Sequence, residues 1–496
     1  MSLQRLKIPF LIVILIAVSF GIYANSLSGD FLVDDTSAIL ENERIHDLKL
    51  YFSKYFGFRI NILSELAWLF IWHFAGPNPF YYHLFNVFVH VGCVILVFIL
   101  CDLLFENLAL SFLSSLIFAL HPIHTEAVSW ISGGHYAFSS LFFITALIFY
   151  IKAEKSLLNL TLSVIIFALC LSTGNAAATL PIMYILYDLF FRKQNAQSSS
   201  LRRLRVLILS IILVTSSIFV VTYLIRRNEF TRIIFYYRGP HYLIVIAKAF
   251  VYYLKLLYLP LARGLYHPFA FDSAEIQKIS PAFFFSIIIV MISLVSFFKC
   301  KRNLKPVSFG IMWFFVTFAP FSNVIPICNI VSERYLYLPS VGFSIILAAL
   351  FLKVWEIINR NTQYKAVLRF ACIVIMSLFL GSYTFLTLKQ NYEYNNMITY
   401  WETNIKNFKD GYLVYNNLAG TYYKMGLIDN AIAYCWISLR TNPNQPYVWC
   451  NLGNIYREMG DLEQARNCYK AILEIDKNYF PAHKALEEIK AELDEK

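Results

Sequence analysis

Three clusters of ionisable residues stand where apolar runs end. Asp34-Asp35 follows the first apolar run, and the same loop continues through Glu41, Asn42, Glu43, Arg59 and Glu65. The second cluster is His121-Pro122-Ile123-His124-Thr125-Glu126, and the third is Ser332-Glu333-Arg334. Ionisable groups at a membrane–water boundary are costly unless they serve a site, so each cluster is a functional candidate. There is no Gly-rich phosphate loop, no His-Glu-x-x-His motif and no Ser/His/Asp order. What remains is a carboxylate–arginine–histidine set on one side of a membrane. Each cluster also has a structural alternative. An Asp pair at a span exit can cap the next helix, where the dipole favours a carboxylate. Glu333 and Arg334 can pair with each other and anchor a span. His121 before Pro122 suits a cap or turn, while His83 and His90, inside an apolar run, suit packing or hydrogen bonding within a bundle.

The elements that must position these residues are apolar helices. The 496 residues are 58% hydrophobic and 15% charged, with 17% aromatic residues, and the mean hydropathy is +0.57. A soluble chain carries about 25% charged residues, so this composition indicates a polytopic membrane protein. The net charge of +11 comes largely from Lys and Arg in short loops. That is the positive-inside pattern rather than a nucleic-acid surface. Nine scattered cysteines without a CxxC pair argue against a zinc site or a disulfide framework. Arg5 and Lys7 precede the first run without a convincing cleavage site, which predicts an uncleaved signal anchor with a cytoplasmic N-terminus. About eleven spans are expected, near 8–25, 82–101, 108–121, 135–152, 157–173, 176–191, 204–224, 281–299, 307–322, 336–354 and 367–388. The stretch 242–260, interrupted by Lys248 and Lys255, reads as an interfacial or re-entrant helix, because the basic loop Lys299–Arg302 is otherwise on the wrong side. The tail then lies on the same outer side as Asp34-Asp35.

That tail repeats. Tyr415, Leu418, Ala419, Tyr422, Gly426 and Ala431 recur as Trp449, Leu452, Gly453, Tyr456, Gly460 and Ala465, at the spacing of about 34 residues of a tetratricopeptide repeat. Pro481–Leu493 reads as a capping helix, and Met397–Phe408 as a cap at the other end. The expected organisation is all-α: a transmembrane helix bundle over 1–388, then a short tetratricopeptide solenoid over 389–496.

Four motifs carry a resemblance: Asn25-Ser26-Leu27 through Phe31-Leu32-Val33-Asp34-Asp35, Asn78-Pro79-Phe80-Tyr81-Tyr82-His83-Leu84-Phe85-Asn86, His121-Pro122-Ile123-His124-Thr125-Glu126-Ala127-Val128, and Glu333-Arg334-Tyr335-Leu336-Tyr337-Leu338-Pro339. As a set they resemble integral-membrane glycosyltransferases of the GT-C superfamily, in particular bacterial relatives of the transmembrane and tetratricopeptide-repeat O-mannosyltransferases. The likeness covers nearly the whole chain, with little from 200–300. It implies a polyprenyl-phosphate-linked sugar as donor, inversion at the sugar carbon by direct displacement, and an active site on the non-cytoplasmic side. Such a reaction needs a carboxylate base at the acceptor hydroxyl and cations at the departing phosphate. Asp35 is the candidate base, with Asp34 its close competitor. Arg334, then Arg59, are candidates for the phosphate, and His124, Glu126 and Glu333 for positioning the substrates. No cofactor or metal site is assigned. The sequence departs from the family pattern in three places: Ser132-Gly133-Gly134-His135-Tyr136, Ser172-Thr173-Gly174-Asn175-Ala176-Ala177-Ala178-Thr179-Leu180-Pro181 and Arg59-Ile60. Relatives usually carry an Arg, a Lys-Glu pair and an Arg-Pro there, so a retuned donor pocket and an inactive copy both stand.

The resulting expectation is a membrane glycosyltransferase that moves a sugar, mannose being one candidate, to a protein or glycan outside the cytoplasm. A bacterial inner membrane is the expected location, or the endoplasmic reticulum in a eukaryote. The alternative is an inactive membrane scaffold whose repeats dock an envelope protein. A transporter is disfavoured by the absence of an inverted repeat.

Overall fold

The structure is a computed structural model that describes residues 3–53, 61–154, 156–191, 211–212, 241–258, 260, 288, 305–324, 327, 329–360, 364–407 and 411–494. Among these residues there are helices and connecting turns but no strand. Their contacts divide them into a large unit ending at Tyr392 and a second unit beginning at Glu393.

The local sequence explains the central hairpin of the large unit. Asn78 accepts a hydrogen bond from Phe80 N and Pro79 occupies the first turn, so the apolar run that follows forms one helix, Pro79–Phe105. Glu106, in the left-handed region at φ 51°, ends it. Asn107 Oδ1 then accepts from Leu110 N at 3.1 Å and starts Leu108–Leu120. The helices Leu3–Tyr23, Leu108–Leu120 and His135–Lys152 all pack on Pro79–Phe105, and their apolar faces share one core. Intrahelical bonding satisfies each backbone, which is the condition for residing in lipid.

Among the described residues, five helices are long and apolar enough to cross a membrane: Lys7–Ser26, Pro79–Phe105, Ser132–Lys152, Pro339–Arg360 and Lys365–Glu393. A sixth is a broken pair, Leu108–Leu120 and Pro122–Val128, bent by 54°. The straight span expected at 108–121 therefore ends in a kink, because His121 caps a new turn that Pro122 opens. The expected spans at 157–173, 176–191 and 307–322 appear as the shorter apolar helices Leu157–Leu171, Ala176–Phe190 and Lys305–Phe321. Fifteen or so residues reach only about 22 Å at 1.5 Å each, less than a hydrocarbon core of about 30 Å. The expected spans at 204–224 and 281–299 lie almost wholly outside the described residues, as do the basic loops beside them. The large unit is a multi-pass membrane bundle, of whose eleven expected spans the described residues show five, or six with the broken pair.

Two stretches differ from a plain bundle. The segment between the first apolar helix and Pro79–Phe105 contains Glu43–His46, Leu48–Ser53 and the apolar helix Ile62–Ala75. Together they form a small core of their own around Ile39, Ile45, Trp68, Leu69, Tyr82 and Ile131, with His46 stacked on Trp72. The expected interfacial stretch is the helix His241–Tyr258. Its Tyr253 hydroxyl donates to Ile330 O and accepts from Ser332 N, both at 3.1 Å, and so supports the segment before Glu333-Arg334.

The second unit is a run of helices: Met397–Asn407, Tyr412–Lys424, Ile428–Thr441, Pro446–Glu458, Leu462–Ile475 and Phe480–Asp494. The two helix pairs are the two copies read from the sequence. Gly426 and Gly460 sit at φ 75° and 81° in the equivalent turns, a conformation that costs any residue with a Cβ. Leu418, Ala419 and Ala431 are buried in the first pair, and Leu452, Ala465, Tyr469 and Ile472 in the second. The last helix buries Ala482 and Ile489, while Arg457 pairs with Glu488 at 2.6 Å and with Glu492.

Candidate active site

The adjacent aspartates separate completely. Val33 adopts φ 36°, which is rare for a β-branched residue. Leu32 and Asp35 close this turn reciprocally: Asp35 N donates to Leu32 O at 2.7 Å, and Leu32 N donates to Asp35 Oδ2 at 2.8 Å. The other oxygen, Asp35 Oδ1, accepts from Ser132 N at 2.7 Å across 97 residues. Asp35 has no exposed surface. Burial pushes its carboxyl up to about 7 even though the Leu32 and Ser132 bonds pull the other way. Asp34, one residue earlier, is exposed and close enough to Arg334 to favour the guanidinium charge. The first candidate for the base is thus a fully engaged carboxylate that fastens two loops, and its competitor is the one that meets solvent. The capping alternative is met in an altered form, since Asp35 makes no side-chain cap to the helical turn that follows it and binds the start of a distant helical turn instead.

The loop Val128–Gly134 receives this grip from one side and a second from Asn86. Asn86 Nδ2 points at the carbonyls of Val128, Trp130 and Ile131 at 3.1–3.4 Å. A Cβ on Gly134 would stand 2.2 Å from Asn86 Oδ1, and one on Gly133 would stand 2.2 Å from Glu126 O. Both positions therefore need glycine for close approach. Asn86 lies within a motif quoted from the sequence, but no chemistry marked it out. Its function is to hold backbone, and periodicity does not encode that.

Arg334 sits at the centre of the site. Glu126 Oε2 accepts from Arg334 N at 3.0 Å, Glu126 Oε1 accepts from Ser332 Oγ at 2.7 Å and lies 3.4 Å from Arg334 Nη1. One buried carboxylate therefore fixes both the backbone and the side chain of Arg334. The guanidinium lies over Trp130, 4.8 Å from the ring centroid, with Tyr136 at 5.6 Å and Tyr335 at 6.0 Å. Burial opposes its charge, and Glu126 together with Tyr136, Tyr335 and Asp34 more than offsets this, so the pKa of the group is raised further and it stays protonated. Its Nε is buried with no hydrogen-bond partner. The alternative in which Glu333 and Arg334 pair with each other is not what occurs, because Glu333 Oε2 instead accepts from Gln390 Nε2 at 2.8 Å.

His124 is buried among rings, with Phe118 at 4.3 Å and Tyr337 at 4.7 Å. Its Nε2 lies 2.7 Å from Ser340 Oγ. That hydroxyl already donates to Tyr337 O, so the imidazole is the donor in this pair. His121 caps the turn, as its position before Pro122 suggests, by accepting from Ile123 N. Ser129, Asn391 and Asn25 link the ends of the first and last bundle helices, with Ser129 Oγ donating to Asn391 Oδ1 and Asn391 Nδ2 donating to Ile22 O and Asn25 Oδ1. Arg59 lies outside the described residues.

Arg334 borders a cavity of about 260 Å³. Its wall includes Asn61, His135, Tyr136, Ser139, Thr173, Gly174, Tyr335 and Tyr337. Two of the segments that depart from the pattern of the resemblance, Ser132–Tyr136 and Ser172–Pro181, therefore contribute to this wall. A guanidinium set among phenols, hydroxyls and an imidazole suits an anionic group joined to a polyol.

Residues 446–479 match the tetratricopeptide repeat family, which is the second of the two helix pairs. The chain is 24% identical to the protein O-mannosyl-transferase TMTC3 of Homo sapiens over 95% of its own length and 56% of that protein's. It is 22% identical to a protein O-mannosyl-transferase of Caenorhabditis elegans, covering 87% of this chain and 63% of the relative. A local match to the protein O-mannosyl-transferase tmtc2 of Xenopus laevis is 34% identical over 149 residues, 27% of this chain and 18% of the relative. The chain is thus similar, over nearly its whole length, to TMTC-type protein O-mannosyl-transferases, and it spans little more than half the length of the ones it matches most fully.

Proposed function

We propose that this chain is a membrane glycosyltransferase that moves a sugar, mannose by analogy with its relatives' names, from a polyprenyl-phosphate carrier to a hydroxyl of a protein or glycan on the non-cytoplasmic side. The observation that carries the reading is Arg334: a buried guanidinium with one edge held by Glu126, its face on Trp130, and its Nε unpartnered at a cavity wall. In the proposed reaction the acceptor oxygen bonds to the sugar C1 as the bond from C1 to the phosphate oxygen breaks. The bonding pair goes to the phosphate, where Arg334 neutralises the developing charge. The acceptor's proton passes to a carboxylate. Asp34 is the better candidate for that role, because it is exposed and near Arg334, whereas both oxygens of Asp35 already accept backbone N–H groups. Asp35, Glu126 and Asn86 then act as positioning residues, and the tetratricopeptide unit serves to dock a protein.

The test is transfer of labelled mannose from polyprenyl-phosphate mannose to envelope or endoplasmic-reticulum proteins by the full chain in lipid nanodiscs. Asp34→Asn is expected to lower the rate by about 10²–10⁴ with an unchanged melting temperature, since Asp34 is exposed. A wild-type rate in Asp34→Asn removes Asp34 as the base. If the wild-type chain transfers no label, while deletion of 397–496 abolishes its cellular phenotype, the scaffold reading takes over.

A further inference from the structure

The wall of the Arg334 cavity carries more polar capacity than its own structure uses. Asn61 Oδ1, Ser139 Oγ and Arg334 Nε are all buried without a hydrogen-bond partner. Buried polar atoms are almost always satisfied, and three orphans around one cavity call for an occupant. The ring of His135 adds a fourth group. Its Nδ1 lies 2.6 Å from Ser132 O, so that nitrogen must carry the proton. In the neutral ring Nε2 is then an acceptor. Asn61 Oδ1 and His135 Nε2 accept, Ser139 Oγ does either, and sugar hydroxyls donate and accept.

Space and charge narrow the occupant. The cavity, at about 260 Å³, falls just below the range of roughly 300–1,000 Å³ typical of drug-sized ligands. Its described lining contains no carboxylate, and Arg334 is its one cation. Gly174 keeps part of it open: a Cβ there would lie 3.4 Å from Ser139 Oγ, in ordinary contact, and its backbone at φ 162° is extended. A small side chain at 174 is therefore tolerated by the fold but occupies cavity space.

We propose that Asn61, His135, Ser139 and Gly174 form the donor subsite for a single uncharged hexose, next to the phosphate position at Arg334. This rests on the proposed function and adds the sugar's place and size to it. Ser139 and Gly174 are then specificity-determining residues, and an oligosaccharide or a uronic acid is excluded from the site.

The experiment measures binding of two probes, polyprenyl-phosphate mannose and bare polyprenyl phosphate, to the full chain in nanodiscs. Ser139→Ala removes a hydroxyl whose neighbour in the protein is the weakly bonding Cys170 thiol, so its melting temperature should fall little. It is expected to weaken the mannose-bearing probe about 3- to 10-fold, the worth of one hydrogen bond, and to leave bare polyprenyl phosphate unchanged. Gly174→Val should show the same selective loss, and Arg334→Ala should weaken both probes. Equal weakening of both probes by Ser139→Ala and Gly174→Val, or no weakening by either, overturns the subsite while Arg334-dependent phosphate binding survives. If the wild-type chain binds neither probe, or Arg334→Ala changes neither, the donor reading fails and takes the subsite with it.

Discussion

Replacing Asp35 by Asn separates a carboxylate that holds structure from one that does chemistry. In the folded chain this buried carboxyl titrates near 7 instead of the ordinary 3.8. The folded state therefore binds this proton more tightly than the unfolded chain. The stability it contributes is complete below about pH 3.8 and is lost as pH rises through about 7. At 1.36 kcal/mol per pH unit the interval from 3.8 to about 7 amounts to about 4 kcal/mol, of which about 3 kcal/mol falls between pH 5 and alkaline solution. Asn cannot titrate. It also offers one acceptor oxygen where Leu32 N and Ser132 N each require one, so one buried N–H faces an amide NH2 at a cost of about 1–3 kcal/mol. At pH 5 the Asp35→Asn chain is expected to be the less stable. By pH 9 the wild-type chain has lost its larger contribution, and the order reverses. Melting of both chains in the same detergent from pH 5 to pH 9 reads this directly, because the other titrating groups are common to both and cancel in the difference. Parallel curves would refute the reasoning, since they mean burial does not govern this carboxyl. An Asp35→Asn chain that melts like the wild type but transfers no sugar would make Asp35, and not Asp34, the base.

Three further outcomes follow from named contacts. Glu126→Gln leaves the buried Arg334 guanidinium without its counter-charge, so thermal unfolding should show a loss of about 3–5 kcal/mol; an unchanged melting temperature argues that the pair is not closed in solution. Asn86→Ala removes the amide shared by Val128, Trp130 and Ile131 and should cost about 1–3 kcal/mol in the same assay, with a lower transfer rate because Trp130 supports Arg334. Gly460→Ala places a Cβ at φ 81°, costing about 1–2 kcal/mol. Hydrogen exchange over 446–475 should then quicken by about 5- to 30-fold, whereas donor binding by the bundle stays unchanged.

The apolar runs, the helix break at His121-Pro122 and the two tetratricopeptide copies follow from local sequence. Helical burial has a period of its own, caps need Asn, Ser or Pro at fixed offsets, and a tight helical turn needs glycine. The candidate site was legible as a set of ionisable residues at the ends of apolar runs. What each member does was not. Glu126 and Arg334 meet across 208 residues, Glu333 turns to Gln390, and the apolar helix Ile62–Ala75 stood unread within a loop. Adjacent identical residues carry no sequence signal that tells them apart. Asp34 and Asp35 are distinguished by the positive φ of Val33 and by an N–H donor from Ser132, 97 residues away. Local chemistry thus places two carboxylates just after an apolar run, and tertiary contact alone buries one and leaves the other exposed.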